Sequence, residues 1–255
     1  MPRLSVTIIA KNEAAAIARC IEAVRELADD IVLVDSGSTD ETVAIAANMG
    51  ARTLVNPWPG YGPQKRFAEA NALHDWVLNL DADEVVTPDL AAEVKALMAT
   101  EPAHAAYQFR VSTVYPGWSR PRLWADDYNI ARLYDRRRVH YSDSPVHDRL
   151  VLGSTSVGQL RGTVYHYSYR SIAHMEEKLN AYTDLQAAVL KKRRWSLWLR
   201  LPFEYPVVFI RYYLLRRNVT GGLTGLLVSH AIAKARTRRV LKFLQARKPA
   251  RKKHT

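Results

Sequence analysis

The first hundred residues alternate between two kinds of signal. Apolar runs of five or six residues, SVTIIA (5–10), IVLVD (31–35), 51–55 and WVLNL (76–80), are separated or followed by helical patterns at 13–27, 40–49, 63–73 and 88–99. Runs this short and continuous are buried on both faces, and their alternation with helices predicts βαβ units around a mainly parallel sheet. Open sheets of that kind take ligands at the carboxyl ends of their strands. The polar clusters fall at those ends: Lys11, Asn12 and Glu13 after the first strand, DSGSTD (35–40) after the second and DADE (81–84) after the fourth.

The DADE cluster sets Asp81, Asp83 and Glu84 within four residues. Like charges so close resist joint ionisation unless a cation or hydrogen-bond donors lie among them. Acidic pairs are common in solvated loops, but this one follows a core strand beside two other polar loops. A hard divalent ion, Mg²⁺ or Mn²⁺, prefers carboxylate, water and phosphate oxygens and is the first cation to expect. In DSGSTDET, Gly37 permits a tight turn and Ser38 or Thr39 is expected to cap the next helix, with Asp40 and Glu41 in its first turn.

Between 105 and 168 the pattern changes to short β runs joined by loops rich in Pro, Trp and Arg, and 171–246 reads as helical with breaks near Pro202, Pro206 and TGG (220–222). The N-terminus MPRLSVTIIAKNE reads as a first strand rather than a signal peptide, having a short apolar run and no small-residue cleavage site. The single cysteine, Cys20, falls in a helix-core pattern with Ile17, Ile21 and Val24, which suits a reducing cytosol. No His and Cys spacing suggests zinc.

Charge divides the chain. Residues 1–189 hold 19 Lys and Arg against 24 Asp and Glu, a net of −5, whereas 190–255 hold 18 against 1, a net of +17. A tail of that sign suits an anionic membrane or nucleic acid. Recognised nucleic-acid modules are missing and the carboxylate-rich strand ends would repel phosphate without a metal, so no nucleic-acid partner is expected. The segment RRWSLWLRLPFEYPVVFIRYYLLRR mixes aromatic and aliphatic residues with Arg, and its apolar runs fall short of the roughly 20 residues a spanning helix needs. It reads as an interfacial amphipathic segment.

The motifs IIAKNEA, IVLVDSGSTDET and WVLNLDADE, in this order, resemble the nucleotide-sugar-binding half of family-2 glycosyltransferases with a GT-A fold. Further along, PGYGPQKRFA, RLYDRR, VHDRL and YHYSY are similar to the branch that adds sugars to the core of bacterial lipopolysaccharide, β-glucosyltransferases included. Tyr134 stands where that branch usually has Phe, and Asp148 where it has Glu.

The resemblance implies site residues. Ala10, Asn12 and Glu13 would line the nucleotide pocket and Asp35 would contact base or ribose; Ser36 stands where many members carry a second Asp. Asp81 would face the ribose or donor sugar and share the metal with Asp83, while Lys65 would stabilise phosphate or sugar oxygens. An inverting transfer needs a carboxylate base; the candidates are Asp148, favoured, then Asp127 and Asp126. His147 would orient the acceptor or help the leaving group, and His166 would contact the diphosphate. Arg120, Arg122 and Arg132 are expected around the acceptor, the run Arg136–Arg138 nearby reads rather as a solvated basic loop, and Trp58, Trp118 and Trp124 either stack on sugars or pack in the core.

The expectation is therefore a GT-A catalytic domain over 1–170, made of a nucleotide-sugar half (1–104) and an acceptor-side half (105–170), with a basic helical extension over 171–255. Its expected activity is transfer of a hexose, glucose from UDP-glucose first, to a lipid-linked saccharide at the cytoplasmic side of the bacterial inner membrane. Transfer to a polyprenyl phosphate or another polysaccharide precursor is the enzymatic alternative, and a basic nucleic-acid-binding protein the non-enzymatic one.

Overall fold

The computed structural model describes residues 1–146, 148–189 and 194–245. The chain forms two compact units, one of residues 1–113 and 127–167, the other of 114–126 and 168–255.

The first unit is built as the alternation predicts. In order it contains β1 (Leu4–Ala10), α1 (Ile17–Glu22), β2 (Asp30–Asp35), α2 (Thr42–Asn48), β3 (Arg52–Val55), α3 (Tyr61–Ala70), β4 (Trp76–Asp81), β5 (Glu84–Val86), α4 (Pro88–Met98), β6 (Ala106–Thr113), β7 (Asp127–Asp135), β8 (His140–Tyr141), β9 (Leu150–Val151) and β10 (Val157–His166). Among the described residues the main sheet has eight strands in the order β3-β2-β1-β4-β7-β6-β10-β5. β1 pairs in parallel with β2 on one side and β4 on the other, and all seven of its residues are buried. The chain thus leaves β1 in one direction and returns to its other side, making a crevice at the carboxyl ends of β1 and β4. This is the GT-A architecture. Val6, Ile8, Leu33, Leu78 and Leu80 form the core together with Ile17, Cys20 and Ile21 of α1.

Several local details differ from the sequence reading. The first helix is confined to Ile17–Glu22, with turns after it. Neither Ser38 nor Thr39 caps α2; Asp40 Oδ1 instead accepts from the Thr42 N–H at 3.1 Å. β5, within the segment read as a loop, pairs antiparallel with β10 through Val86–Val164 and Glu84–His166.

The second unit contains α5 (Ile172–Val189), α6 (Arg194–Ile210), a π-helical turn (Arg211–Leu215), a 3₁₀ turn (Asn218–Gly221) and α7 (Gly222–Gln245). Segment 114–126, expected in the acceptor-side half, belongs here: Tyr115 packs with Met175, Val228 and Ala231. α6 runs through Pro202 and Pro206 where breaks were expected. Both prolines are exposed, as is Trp198, so the carbonyls they orphan four residues back face solvent. The helix does break at the π turn and before Gly222.

The polarity of α6 is inverted. Glu204 is buried and paired with Arg200, whereas Trp195, Trp198, Leu199, Phe203, Val207 and Ile210 are at least half exposed. Their spacing of three and four places them on one face, and Leu214, Leu215 and Leu223 add exposed apolar surface beyond it. Among the described residues no helix is long and apolar enough to cross a membrane.

Candidate active site

The first two loops at the carboxyl edge of the sheet are stitched together. Asn12, at φ +57°, accepts from the Thr39 N–H through Oδ1 at 2.8 Å, and its own N–H donates to Ser38 Oγ at 2.8 Å. The Glu13 N–H donates to Thr42 Oγ1 at 2.8 Å. Asp35, expected on the base or ribose, is buried and accepts from the N–H groups of Gly37 and Ser38 at 2.8 Å each and from Ser38 Oγ at 2.5 Å. Its carboxylate shapes the turn. Ser36 is buried beneath it, accepting from Gln64 Nε2 at 3.0 Å, and Ala10 is the buried last residue of β1. Asn12 and Glu13 thus reach the edge of the crevice, while Asp35 and Ser36 build its floor.

The acidic cluster resolves its repulsion with the protein's own cations. Arg132 donates to Asp81 Oδ2 at 2.9 Å and to Glu84 Oε2 at 2.5 Å, and Lys65 Nζ lies 3.0 Å from Asp81 Oδ1. Arg132, expected at the acceptor, is instead buried. It is placed there by a β-bulge: Leu133 faces Tyr107 and Ala131 faces Gln108, leaving Arg132 as the extra residue that turns toward the acids. Burial pushes the Asp81 carboxyl up, but Arg132 and Lys65 outweigh it and hold Asp81 well below the usual carboxylate range. Glu84 goes the other way, raised by burial and the Asp81 charge against the pull of Arg132.

Asp83 takes a different partner. Its Oδ1 lies 3.2 Å from His166 Nε2 at the end of β10. Burial lowers the basicity of His166, yet the hydrogen bond and charge of Asp83, with Glu84 and Asp81, raise it overall. Both Asp81 oxygens face protein cations, and Asp83 faces His166; the Asp81 side chain is 28% exposed and that of Asp83 14%. Among the described residues no group of three or more His, Cys, Asp or Glu is arranged to hold a metal ion. A carboxylate nevertheless suits Mg²⁺ or Mn²⁺, which leave sites for water and substrate phosphates. Asp81, Glu84 and Asp148 thus face Lys65 and Arg132, and Asp83 faces His166.

Of the base candidates, Asp148 joins this network, with Oδ2 2.6 Å from Lys65 Nζ and 29% of its side chain exposed. Lys65 itself is fully buried between Asp81 and Asp148, rather than presented to a ligand. Asp127 starts β7 and accepts from Ser112 Oγ at 2.7 Å. Asp126 belongs to the second unit, paired with Arg216 at 3.2 Å. His147 lies outside the described residues.

The remaining expectations divide. Arg136–Arg138 are not at the acceptor side: β7 runs antiparallel to β4, so Asp135 faces Trp76 at the opposite end of the sheet, where Arg137 pairs with Asp135 and Asp75. Arg122 is buried in the second unit, donating to the carbonyls of Trp124, Arg216 and Arg217. Trp118 packs edge-on to Tyr115, and Trp124 stacks under Arg217. Trp58 remains exposed and meets Tyr61 edge-on at 4.8 Å.

Comparison with known proteins supplies the family. The family model described as glycosyl transferase family 2 matches residues 5–152. An uncharacterised glycosyltransferase of Rickettsia prowazekii is 36% identical, over 95% of this chain and 87% of its own length. The lipopolysaccharide core biosynthesis glycosyltransferase LpsC of Rhizobium meliloti is 30% identical over 96% and 91% respectively. Among solved structures, glucosyl-3-phosphoglycerate synthase of Mycobacterium tuberculosis, crystallised with Mn²⁺, UDP and glucosyl-3-phosphoglycerate, is 27% identical over 46% of this chain and 45% of its own, with a TM-score of 0.35. With more than half of its length matched by the family model and nearly all of it by two relatives, the chain belongs to glycosyl transferase family 2 and is a glycosyltransferase.

Proposed function

We propose that the protein is an inverting, metal-dependent hexosyltransferase, using a UDP-hexose, UDP-glucose first, and acting on a lipid-linked saccharide such as the lipopolysaccharide inner core. The observation that carries this reading is the linked set Asp83–His166, Asp81–Arg132–Glu84 and Lys65–Asp148 at the sheet's carboxyl edge. The choice of acceptor draws on the likeness to the lipopolysaccharide core enzyme LpsC along almost the whole chain.

In this mechanism the edges of the first two loops hold the nucleotide. Asp83 would hold a Mg²⁺ or Mn²⁺ ion, which neutralises charge on the diphosphate. Asp148 takes the proton from an acceptor hydroxyl as its oxygen bonds to the anomeric carbon. The bond from that carbon to the diphosphate oxygen breaks, and its electron pair leaves with the nucleoside diphosphate. Attack opposite the leaving group inverts the anomeric centre.

The inverted face of α6 supports peripheral attachment to the cytoplasmic side of the inner membrane. An exposed stripe with two tryptophans, flanked by Arg211, Arg216 and Arg217, has the composition of an interfacial helix facing anionic lipid. The test of the function is a screen of nucleotide sugars against bacterial membrane extracts, with mass analysis of the product. Transfer of a hexose to lipopolysaccharide is the expected result, and transfer confined to a polyprenyl phosphate overturns the acceptor assignment.

A further inference from the structure

The motif PGYGPQKRFA is the part of the site that the mechanism above leaves without a role. It forms the loop into α3 and the first turns of that helix. The segment carrying Asp148 lies directly on it. The N–H groups of Tyr61 and Gly62 donate to the carbonyls of Pro145 and Ser144, both at 3.1 Å, so the segment occupies donors that a helix N-terminus leaves open. The approach is so close that side chains are excluded. A Cβ at Gly62 would stand 2.1 Å from the Ser142 carbonyl oxygen, and one at Gly60, where φ is +114°, would stand 2.5 Å from Pro145 Cα. Tyr61 can sit between these two glycines because its side chain points outward, half exposed.

One turn further on, Lys65 reaches the same segment from inside. It is fully buried, and its ammonium lies 2.6 Å from Asp148 and 3.0 Å from Asp81. A lysine stem immobilised in the core is a fixed post for a carboxylate on a loop, and charged hydrogen bonds of this kind are the stronger ones. The far end of the segment is tied as well, the Ser142 N–H donating to the Arg149 carbonyl at 2.9 Å.

We infer that Gly60–Lys65 is the positioning element of the transfer reaction: the two glycines seat Ser142–Pro145 on the start of α3, and Lys65 fixes the Asp148 carboxylate relative to the donor-side Asp81. Lys65 is thus a positioning residue acting through Asp148. This inference rests on the reading of Asp148 as the base. It gives the motif a purpose distinct from direct contact with phosphate, since the ammonium is enclosed by the two carboxylates and the Tyr141 ring, 5.3 Å away.

The experiment combines Lys65→Met, Asp148→Asn, their double variant and Gly62→Ala in the full-length protein, with two readouts. The first is hydrogen exchange across 142–149, which needs no substrate. Lys65→Met and Gly62→Ala should each speed exchange there about tenfold or more while β10 stays protected. The second is kcat with the sugar nucleotide found active in the screen above, alongside calorimetric UDP affinity. Lys65→Met should lower kcat about 30-fold or more with UDP affinity changed less than about fivefold, and the double variant should fall within about threefold of Asp148→Asn alone. Unchanged exchange in both single variants overturns the inference. So do multiplicative losses in the double variant, or a Lys65→Met defect confined to UDP affinity, which would return Lys65 to the diphosphate. If Asp148→Asn keeps its kcat while the exchange result holds, the base assignment fails and the seating of the segment stands.

Discussion

Asp83 Oδ1 and His166 Nε2 meet at 3.2 Å, joining the turn after β4 to the last residue of β10. Asp83 lies near the middle of the first unit's sequence and His166 at its end, and the antiparallel pairing of Glu84 with His166 in β5 and β10 sets their approach. For Asp83→Ala the expected outcome is loss of transfer and of metal-assisted nucleotide binding, with the fold retained because a negative charge leaves a crowded cluster. Calorimetry of UDP with and without Mn²⁺ checks this. Equal metal enhancement in the variant and the parent refutes the assignment.

Replacing the base has a different signature. Asp148→Asn should reduce kcat by roughly 10²-fold or more and leave donor affinity nearly unchanged, as expected for removal of a general base. Should Asp127→Asn show that pattern instead, the base is Asp127.

Arg132 is buried and is the counterion of the buried Glu84 and the partly exposed Asp81, so its loss is a stability event before it is a catalytic one. Arg132→Met is expected to destabilise by about 3–5 kcal/mol, the range for removing one partner of a buried pair. Adding Glu84→Gln should recover part of that, because Glu84 then no longer needs the guanidinium. Urea unfolding of the three variants measures it; a double variant no more stable than Arg132→Met contradicts the pairing.

A pH dependence follows from Asp30, far from the site. Burial raises its carboxyl, but hydrogen bonds from Arg52, the Leu73 N–H and Ser5 together bring it below the ordinary value. A carboxyl depressed in the folded state contributes stability above its unfolded value of about 3.9, and that contribution is lost as pH falls through the lower folded value. Asp30→Asn should therefore cost about 2 kcal/mol at neutral pH, in the range for hydrogen bonds to a charged group. The gap to the parent should narrow below about pH 4, since protonation there removes in the parent what the substitution removes in the variant. Denaturant titrations at pH 7, 5 and 3.5 decide it, a constant gap being the contrary result.

The α6 stripe can be tested without removing the tail. Trp198→Glu with Phe203→Glu alters two residues that are 60% and 64% exposed, so the fold should survive. Flotation with anionic vesicles is expected to fall sharply, and binding by the parent should weaken with salt as the Debye length shrinks from about 10 Å at 0.1 M to about 3 Å at 1 M. Equal binding of the parent to neutral and anionic vesicles, or to neither, removes the membrane reading.

What could be read in advance follows from the range of the interactions concerned. The parallel core was legible because each of its strands is a local apolar run, as in the seven buried residues of β1. The polar loops were legible as clusters at strand ends. β5 was not, since EVV is three residues long and its partner lies about eighty residues away. The partners of Asp81 were hidden for the same reason. Nothing near Arg132 marks the bulge that turns it inward, and nothing near Lys65 shows that its ammonium is enclosed. The continuity of α6 through two prolines depends on which face meets solvent, which sequence spacing leaves open.

The Arg132 bridge also bears on how the chain can be made. Asp81 and Glu84 leave the ribosome about fifty residues before the guanidinium they share, being 51 and 48 positions upstream of it, and of the two it is Asp81 that Lys65, made earlier, reaches. Until β7 is synthesised and inserted beside β4, the acids cannot be buried together without a large penalty, so the crevice stays open to water on the nascent chain. A fragment ending before Asp127 would carry every strand of the nucleotide half and still lack the charge that lets β4 close. The nucleotide half alone is accordingly expected to be less stable than in the whole chain, and transplanting it onto another acceptor module calls for carrying β7 with it.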